Sequence, residues 1–160
     1  MFTGMELPSQ RRSIRYNGYD YSMAGYYALT ICCHDKAHLL GVLAPETPFQ
    51  PSGLGQVVAD ELRALPDRWP TVRLDTWVLM PNHLHLILVL TRNQAVTVSQ
   101  VVASFKSRCY GQWRARLLAQ GLAAPPTCWQ RNYYERIIRD GSELEGHRRY
   151  ILDNPSRWSQ

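Results

Sequence analysis

Strand and helix signals alternate along this chain of 160 residues in the order strand, helix, strand, strand, helix, strand, helix. That order predicts an α+β fold of the ferredoxin-like class, a split β-α-β antiparallel sheet with helices packed on it, one of them C-terminal. The clearest local support is the pair of apolar runs at 72–80 and 83–90, separated only by the tight corner Pro81-Asn82.

Each element has its own signal. Tyr26 to Cys33 follows Gly25 and reads as a strand, and Leu39 to Leu43 as a short second one. Leu54, Val57, Val58, Leu62 and Leu65 recur at helical spacing, and this first helix is expected to stop before Pro66. Val72 to Met80 is a strand, and His83 to Leu90 is its expected antiparallel neighbour. Val98 to Leu118 is the longest helix. Gly121 to Thr127, containing Pro125-Pro126, is a loop, and Tyr134 to Ile138 is a strand. Ser142 starts a last helix that Pro155 ends. No repeat, low-complexity tract or linker interrupts the order, so residues 1–160 read as one domain.

Composition narrows the class. With 45% hydrophobic and 11% aromatic residues, a chain of this length buries about two-thirds of its unfolded surface. Cys32, Cys33, Cys109 and Cys128 have no Cys-x-x-Cys spacing, and a strand would send the adjacent pair to opposite faces. A disulfide framework or zinc knuckle is not expected; a reduced, cytoplasmic setting is. No segment approaches the roughly 18 apolar residues of a membrane span, and Met1 to Arg12 has no apolar core for a signal peptide.

The net charge of +5 is unevenly placed. Residues 1–103 hold eight basic and eight acidic side chains, whereas 104–160 hold ten basic and five acidic ones. Sixteen of the 18 basic residues are Arg, whose planar fork suits bidentate phosphate contact. Tyr110, Trp113, Trp129, Tyr133, Tyr134, Tyr150 and Trp158 are interleaved with this charge, flat side chains on which unpaired bases can stack. The pattern points to a nucleic-acid surface in the last third, against the blander alternative of a solvated Arg-rich face over an aromatic core.

His83 and His85 are the most informative pair. On a strand they share a face with Cα atoms roughly 6.6 Å apart, close enough to converge on one ion. Leu86 to Leu90 is uninterrupted aliphatic, so two imidazoles on this strand need something to satisfy them, and a metal is one way. In the last helix Glu143, His147, Tyr150 and Asn154 fall within a stripe about 60° wide, with Leu144 and Ile151 roughly 90° round from it. Such a helix can dock through Leu144 and Ile151 while holding out a phenol, an amide and an imidazole.

Four motifs in order carry a family resemblance: Arg11-Arg12-Ser13-Ile14-Arg15 with Gly18-Tyr19-Asp20-Tyr21-Ser22; Met80-Pro81-Asn82-His83-Leu84-His85; Ser104-Phe105-Lys106-Ser107; and Trp129-Gln130-Arg131-Asn132-Tyr133-Tyr134-Glu135 running through Ile137-Ile138-Arg139 to Tyr150-Ile151, Asn154-Pro155 and Trp158. Across roughly Arg11 to Trp158 the chain resembles the REP-associated tyrosine transposases, a branch of the single-tyrosine HUH transposases. One departure is Arg136, where that pattern has His after Glu135.

The resemblance implies that His83 and His85 are a metal pair for Mg²⁺ or Mn²⁺, that Tyr150 is the nucleophile carried on the C-terminal helix, and that Asn154 completes the metal shell. It implies nicking and rejoining of single-stranded DNA hairpins (REP-like palindromes) through a 5′-phosphotyrosine, by a monomer or a homodimer. Arg11, Arg12, Lys106, Arg131, Arg139, Arg148 and Arg149 are the candidate DNA contacts, and His147 is a candidate for assisting proton transfer from Tyr150. Tyr110, Tyr133 and Tyr134 are weaker candidates for the nucleophile, and Glu135 reads as a charge capping the Arg-rich loop. The alternative class is a non-catalytic hairpin-binding protein that keeps the fold. A two-motif phosphodiesterase needs a second His-x-Thr or His-x-Ser motif, which is absent.

Overall fold

The computed structural model describes residues 18–158. Strand β1 (Gly25–Cys32) is followed by a two-stranded hairpin, β2 (Gly41–Val42) and β3 (Gln50–Pro51), and by helix α1 (Gly53–Arg68). Then come β4 (Val72–Met80), β5 (His83–Leu90), helix α2 (Val98–Ala119), β6 (Tyr134–Ile138) and helix α3 (Gly141–Asp153). The main sheet has the order β4-β5-β1-β6, with every pairing antiparallel. Setting the small hairpin aside, this is the split β-α-β arrangement expected from the element order.

The sheet is covered on both faces. Leu29, Ile31, Leu84, Leu86 and Leu88 join Leu54, Val58, Leu62, Leu65, Val101, Val102 and Phe105 in the main core beneath α1 and α2. On the opposite face Ile87, Ile138 and Ile151 form a second, smaller cluster, with Leu144 packed against it. Because side chains alternate along a strand, the even-numbered leucines of β5 point to the main core while His83, His85 and Ile87 point towards α3. α3 therefore docks through the Leu144 and Ile151 edge that its sequence marks.

Three helix boundaries differ from expectation, α2 by one residue, since it runs to Ala119. α1 runs through Pro66 to Arg68 instead of stopping before it. Proline removes one backbone donor, but the Trp69 N–H still caps the Leu65 carbonyl at 2.8 Å, and Arg68 reaches back to the buried Glu61 carboxylate at 2.6 Å. These contacts carry the last turn past the proline. α3 starts at Gly141 rather than Ser142, because Asp140 is the cap: its carboxylate accepts from the Glu143 N–H at 2.8 Å.

The corner that carries the histidines is pinned. The Pro81 and Asn82 carbonyls accept from the Leu40 and Cys33 N–H groups at 3.0 and 2.9 Å, which ties the β4–β5 turn to the end of β1. α1 begins against the same segment, and Gly55 lets it do so, since a Cβ there would lie 2.0 Å from the Leu40 carbonyl oxygen. No helix among the described residues is long and apolar enough to cross a membrane.

Candidate active site

The His83 and His85 rings lie edge to face with centroids 4.6 Å apart, and both residues are only 7% exposed. Each ring has one nitrogen engaged. His83 Nδ1 is 2.6 Å from Asn82 Oδ1, and His85 Nδ1 is 2.8 Å from Thr30 Oγ1. A carboxamide oxygen only accepts, so the Asn82 contact places the proton of neutral His83 on Nδ1 and leaves Nε2 with its lone pair. The Thr30 hydroxyl accommodates the same tautomer at His85. Burial pushes the imidazoles down, to about 4 for His83 and to about 3 for His85, where the neighbouring His83 ring adds to burial. Both are neutral at physiological pH, the form in which imidazole coordinates metals.

α3 closes the site from the other side. The Tyr150 ring centroid lies 5.5 Å from that of His85, and Tyr150 remains 47% exposed, so its hydroxyl is open to a ligand from solution. Asn154, at the end of α3, donates from Nδ2 to the Tyr150 carbonyl at 3.1 Å, which leaves its Oδ1 as the available acceptor. A short 3₁₀ turn, Pro155–Arg157, then returns the chain so that Trp158 lies 6.3 Å from His83 and 5.4 Å from His38, centroid to centroid. His147 is half-buried one turn before Tyr150. Burial lowers its pKa, Arg136 on β6 lowers it further, and Glu143 partly offsets them. The net lowering favours the neutral ring, the form that accepts a proton.

No group of three His, Cys, Asp or Glu side chains among the described residues is arranged to hold a metal. What is present is two neutral imidazoles with Nδ1 engaged. That donor set fits a divalent ion that tolerates nitrogen, Mn²⁺ more readily than Mg²⁺.

The candidate DNA contacts separate into groups. Arg11 and Arg12 lie outside the described residues. Arg131, Arg139 and Arg149 are exposed. Lys106 and Arg148, expected from their charge to meet phosphate, are partly exposed and also have partners within the fold. Lys106 Nζ donates to the carbonyls of Gln130, Arg131 and Asn132 at 2.8, 3.5 and 3.2 Å and sits 5.7 Å from the Tyr133 ring centroid; burial lowers it to about 8. Arg148 Nε and Nη2 donate to the two carboxylate oxygens of Asp75 on β4 at 2.8 and 2.6 Å, a bidentate pair that ties α3 to the sheet. Tyr110 is also occupied, donating its hydroxyl to the Pro125 carbonyl at 2.7 Å.

Two residues at the site carry no role in the sequence reading: Thr30 and Asn82. Asn82 was legible as the immediate neighbour of His83. Thr30 becomes visible only through the register that sets β1 against β5, where it faces His85 directly.

No protein-family model matches the chain. An uncharacterised protein of Haemophilus influenzae is 33% identical over 170 residues, covering 94% of this chain and 91% of its own length. A second protein of that organism, provisionally named a REP-associated tyrosine transposase, is 28% identical over 86 residues, 48% of this chain and 46% of its own. A solved REP-associated tyrosine transposase bound to a REP hairpin superposes with a TM-score of 0.63 at 22% identity, over 89% of this chain and 73% of that one. A Deinococcus radiodurans structure provisionally described as a transposase gives 0.54 at 14% identity, over 88% and 96%. Both solved structures share the fold of this chain. The chain is similar to a REP-associated tyrosine transposase over about half of its sequence and shares the fold of another.

Proposed function

We propose that the protein is a metal-dependent single-stranded DNA endonuclease and strand transferase that acts on hairpin-forming repeats through a covalent 5′-phosphotyrosine at Tyr150. The observation that carries this reading is the juxtaposition of Tyr150 with His85 and His83, two neutral imidazoles whose Nδ1 atoms are both engaged. A nucleophile beside a two-histidine donor set is what phosphodiester attack needs, and a purely DNA-binding relative has no use for it.

His83 and His85 through Nε2, and Asn154 through Oδ1, would hold the divalent ion, which when bound supplies Lewis-acid polarisation of a phosphoryl oxygen. The chain's own residues do the rest. Asn82 fixes the His83 tautomer, and Thr30 orients the His85 ring. The Tyr150 oxygen attacks phosphorus as the phenol gives up its proton, to His147 or to water. The O–P bond to tyrosine forms, the P–O3′ bond breaks, and the departing 3′ oxygen takes up a proton. Because the ester energy is kept in the phosphotyrosine, a 3′-OH can reverse the attack and rejoin strands without ATP.

Exposed Arg131, Arg139 and Arg149 are positioned to meet the DNA backbone, and a hairpin is the substrate held by the solved relative described above. We extend that partner to this chain. Four free, buried cysteines agree with a reducing, cytoplasmic setting. The deciding experiment incubates the protein with a labelled single-stranded hairpin and Mn²⁺ or Mg²⁺, then separates under denaturing conditions. Label that travels with the protein, and is lost with EDTA or with perfect duplex, supports the reading. A failure to attach label under any metal condition leaves the non-catalytic hairpin binder in its place.

A further inference from the structure

Ile151 is the only buried residue of α3, so the helix rests on the sheet through one apolar anchor, with Leu144 partly buried beside it. Apolar contact is non-directional: it holds a helix down and leaves it free to roll about its own axis. The ion pair between Arg148 and Asp75 supplies the missing restraint. We infer that Asp75 and Arg148 are positioning residues for the reaction, a pair that sets the roll of α3 and with it the place of the Tyr150 hydroxyl beside the histidines. The inference rests on the reading of Tyr150 as the nucleophile and names what holds it in place.

The edge strand β4 is irregular where it makes this contact. Leu74 pairs with Leu88 and Trp77 with Leu86, so Asp75 and Thr76 together oppose the single residue Ile87, against which Ile151 packs. Bulges of this kind re-aim side chains at sheet edges and next to active sites. Here the bulge sets an acid beside the hydroxyl that braces it, since Thr76 Oγ1 donates to Asp75 Oδ1 at 2.8 Å. The carboxylate thus accepts three hydrogen bonds, two of them from the guanidinium at 2.8 and 2.6 Å. The Asp75 side chain is only 15% exposed, which shields the pair from the screening that makes most surface ion pairs weak. A two-point contact of this geometry fixes orientation as well as distance.

The placement of Arg148 on the helix makes it the counterpart of Tyr150. At about 100° per residue, Arg148 lies about 60° to one side of Ile151 and Tyr150 about 100° to the other. The two side chains therefore flank the docking edge, and a roll that lifts one side lowers the other. With its side chains a helix is about 10–12 Å across, so a roll of about 20° carries the Tyr150 hydroxyl through about 2 Å. Misplacement by about 1 Å at a reacting group can cost about 100-fold in rate. The Tyr150 ring, 47% exposed and in edge contact with His85, has little of its own to oppose such a roll.

The test compares Asp75→Asn and Arg148→Lys with the parent, all as full-length protein. The first keeps the shape of the acid and removes its charge; the second keeps the charge and removes the two-point fork. Single-turnover formation of the covalent DNA adduct is followed at saturating Mn²⁺ and hairpin, well below the melting temperature of each protein, and hairpin affinity is measured by fluorescence anisotropy. The expected result is a rate slower by roughly tenfold or more in both variants, with the final fraction of labelled protein and the hairpin affinity within about twofold of the parent. Partial unfolding lowers the labelled fraction instead of the rate, and loss of a phosphate contact lowers the affinity, so neither mimics this result. A parental rate in both variants overturns the inference, as does a loss that more hairpin or more Mn²⁺ restores. A parent that forms no adduct takes the catalytic reading down together with the inference, whereas an active parent with unaffected variants removes only the positioning role.

Discussion

Thr30 Oγ1 on β1 stands 2.8 Å from His85 Nδ1 on β5, at positions that face each other in the antiparallel register. A hydroxyl on the neighbouring strand thereby sets which nitrogen of His85 is free, and Asn82 does the same for His83 from the adjacent residue. A divalent ion bound by the pair depends on that orientation.

Thr30→Val keeps the shape of the side chain and removes the hydroxyl. Loss of such an outer partner typically weakens metal affinity by about 10- to 100-fold. Nicking by Thr30→Val should therefore need correspondingly more Mn²⁺ to reach half its maximum, with the helical circular dichroism signal preserved. An unchanged Mn²⁺ requirement would remove Thr30 from the site.

Tyr150→Phe deletes one exposed hydroxyl and no charge. The covalent DNA adduct should disappear while hairpin affinity stays within about twofold, since neutral surface changes alter stability and contact energies by only about 0.5 kcal/mol. Denaturing gels and anisotropy read the two quantities independently. A phosphotyrosyl adduct persisting in Tyr150→Phe would move the nucleophile to Tyr133 or Tyr134, because the Tyr110 hydroxyl is held by Pro125.

Arg148→Ala should lower the melting temperature and leave the salt dependence of hairpin binding unchanged, because its guanidinium is already paired bidentately with the Asp75 carboxylate. The pH dependence has a definite sign. The Arg148 hydrogen bonds hold the Asp75 carboxyl below its ordinary range despite partial burial. The stabilisation is thus present above the unfolded carboxylate value of about 3.9 and is lost as pH falls through the lower folded value. Arg148→Ala should flatten this acid limb of the melting curve. An acid limb as steep as that of the parent would show that the pair contributes nothing there.

The contrast between Arg148 and Arg131 marks what was legible in the residues alone. Periodicity located every main strand and helix, because each buries one face and alternation or helical spacing records it; β6 and the docking edge of α3 emerged with their observed residues. The His-x-His pair and Tyr150 were visible for the same reason. What a linear pattern does not record is the partner of a charged group. Nothing in the sequence shows that Arg148 meets Asp75 on β4 or that Lys106 gathers three carbonyls of the 130–132 segment. Thr30 was hidden likewise, since it sits 55 residues from His85. Pro66 misplaced a boundary because its cost is met by contacts of Arg68 and Trp69 that lie beyond the proline.

Arg131 is the basic residue on which the DNA surface is best tested. It is exposed in the segment that Lys106 organises, in the third of the chain where basic residues exceed acidic ones. Arg131→Ala should weaken hairpin binding by about 1 to 2 kcal/mol, the scale of a charge-assisted hydrogen bond, and should reduce the slope of log affinity against log salt by about one phosphate contact. The comparison is Arg63→Ala on α1. Arg63 is equally a surface arginine, but it pairs with Asp60 at 3.4 Å and lies 5.7 Å from the Trp77 ring centroid in the charge-balanced part of the chain. Its removal should change stability slightly and binding not at all. If Arg63→Ala costs as much hairpin affinity as Arg131→Ala while both proteins melt as the parent does, the DNA surface is not in the last third of the chain.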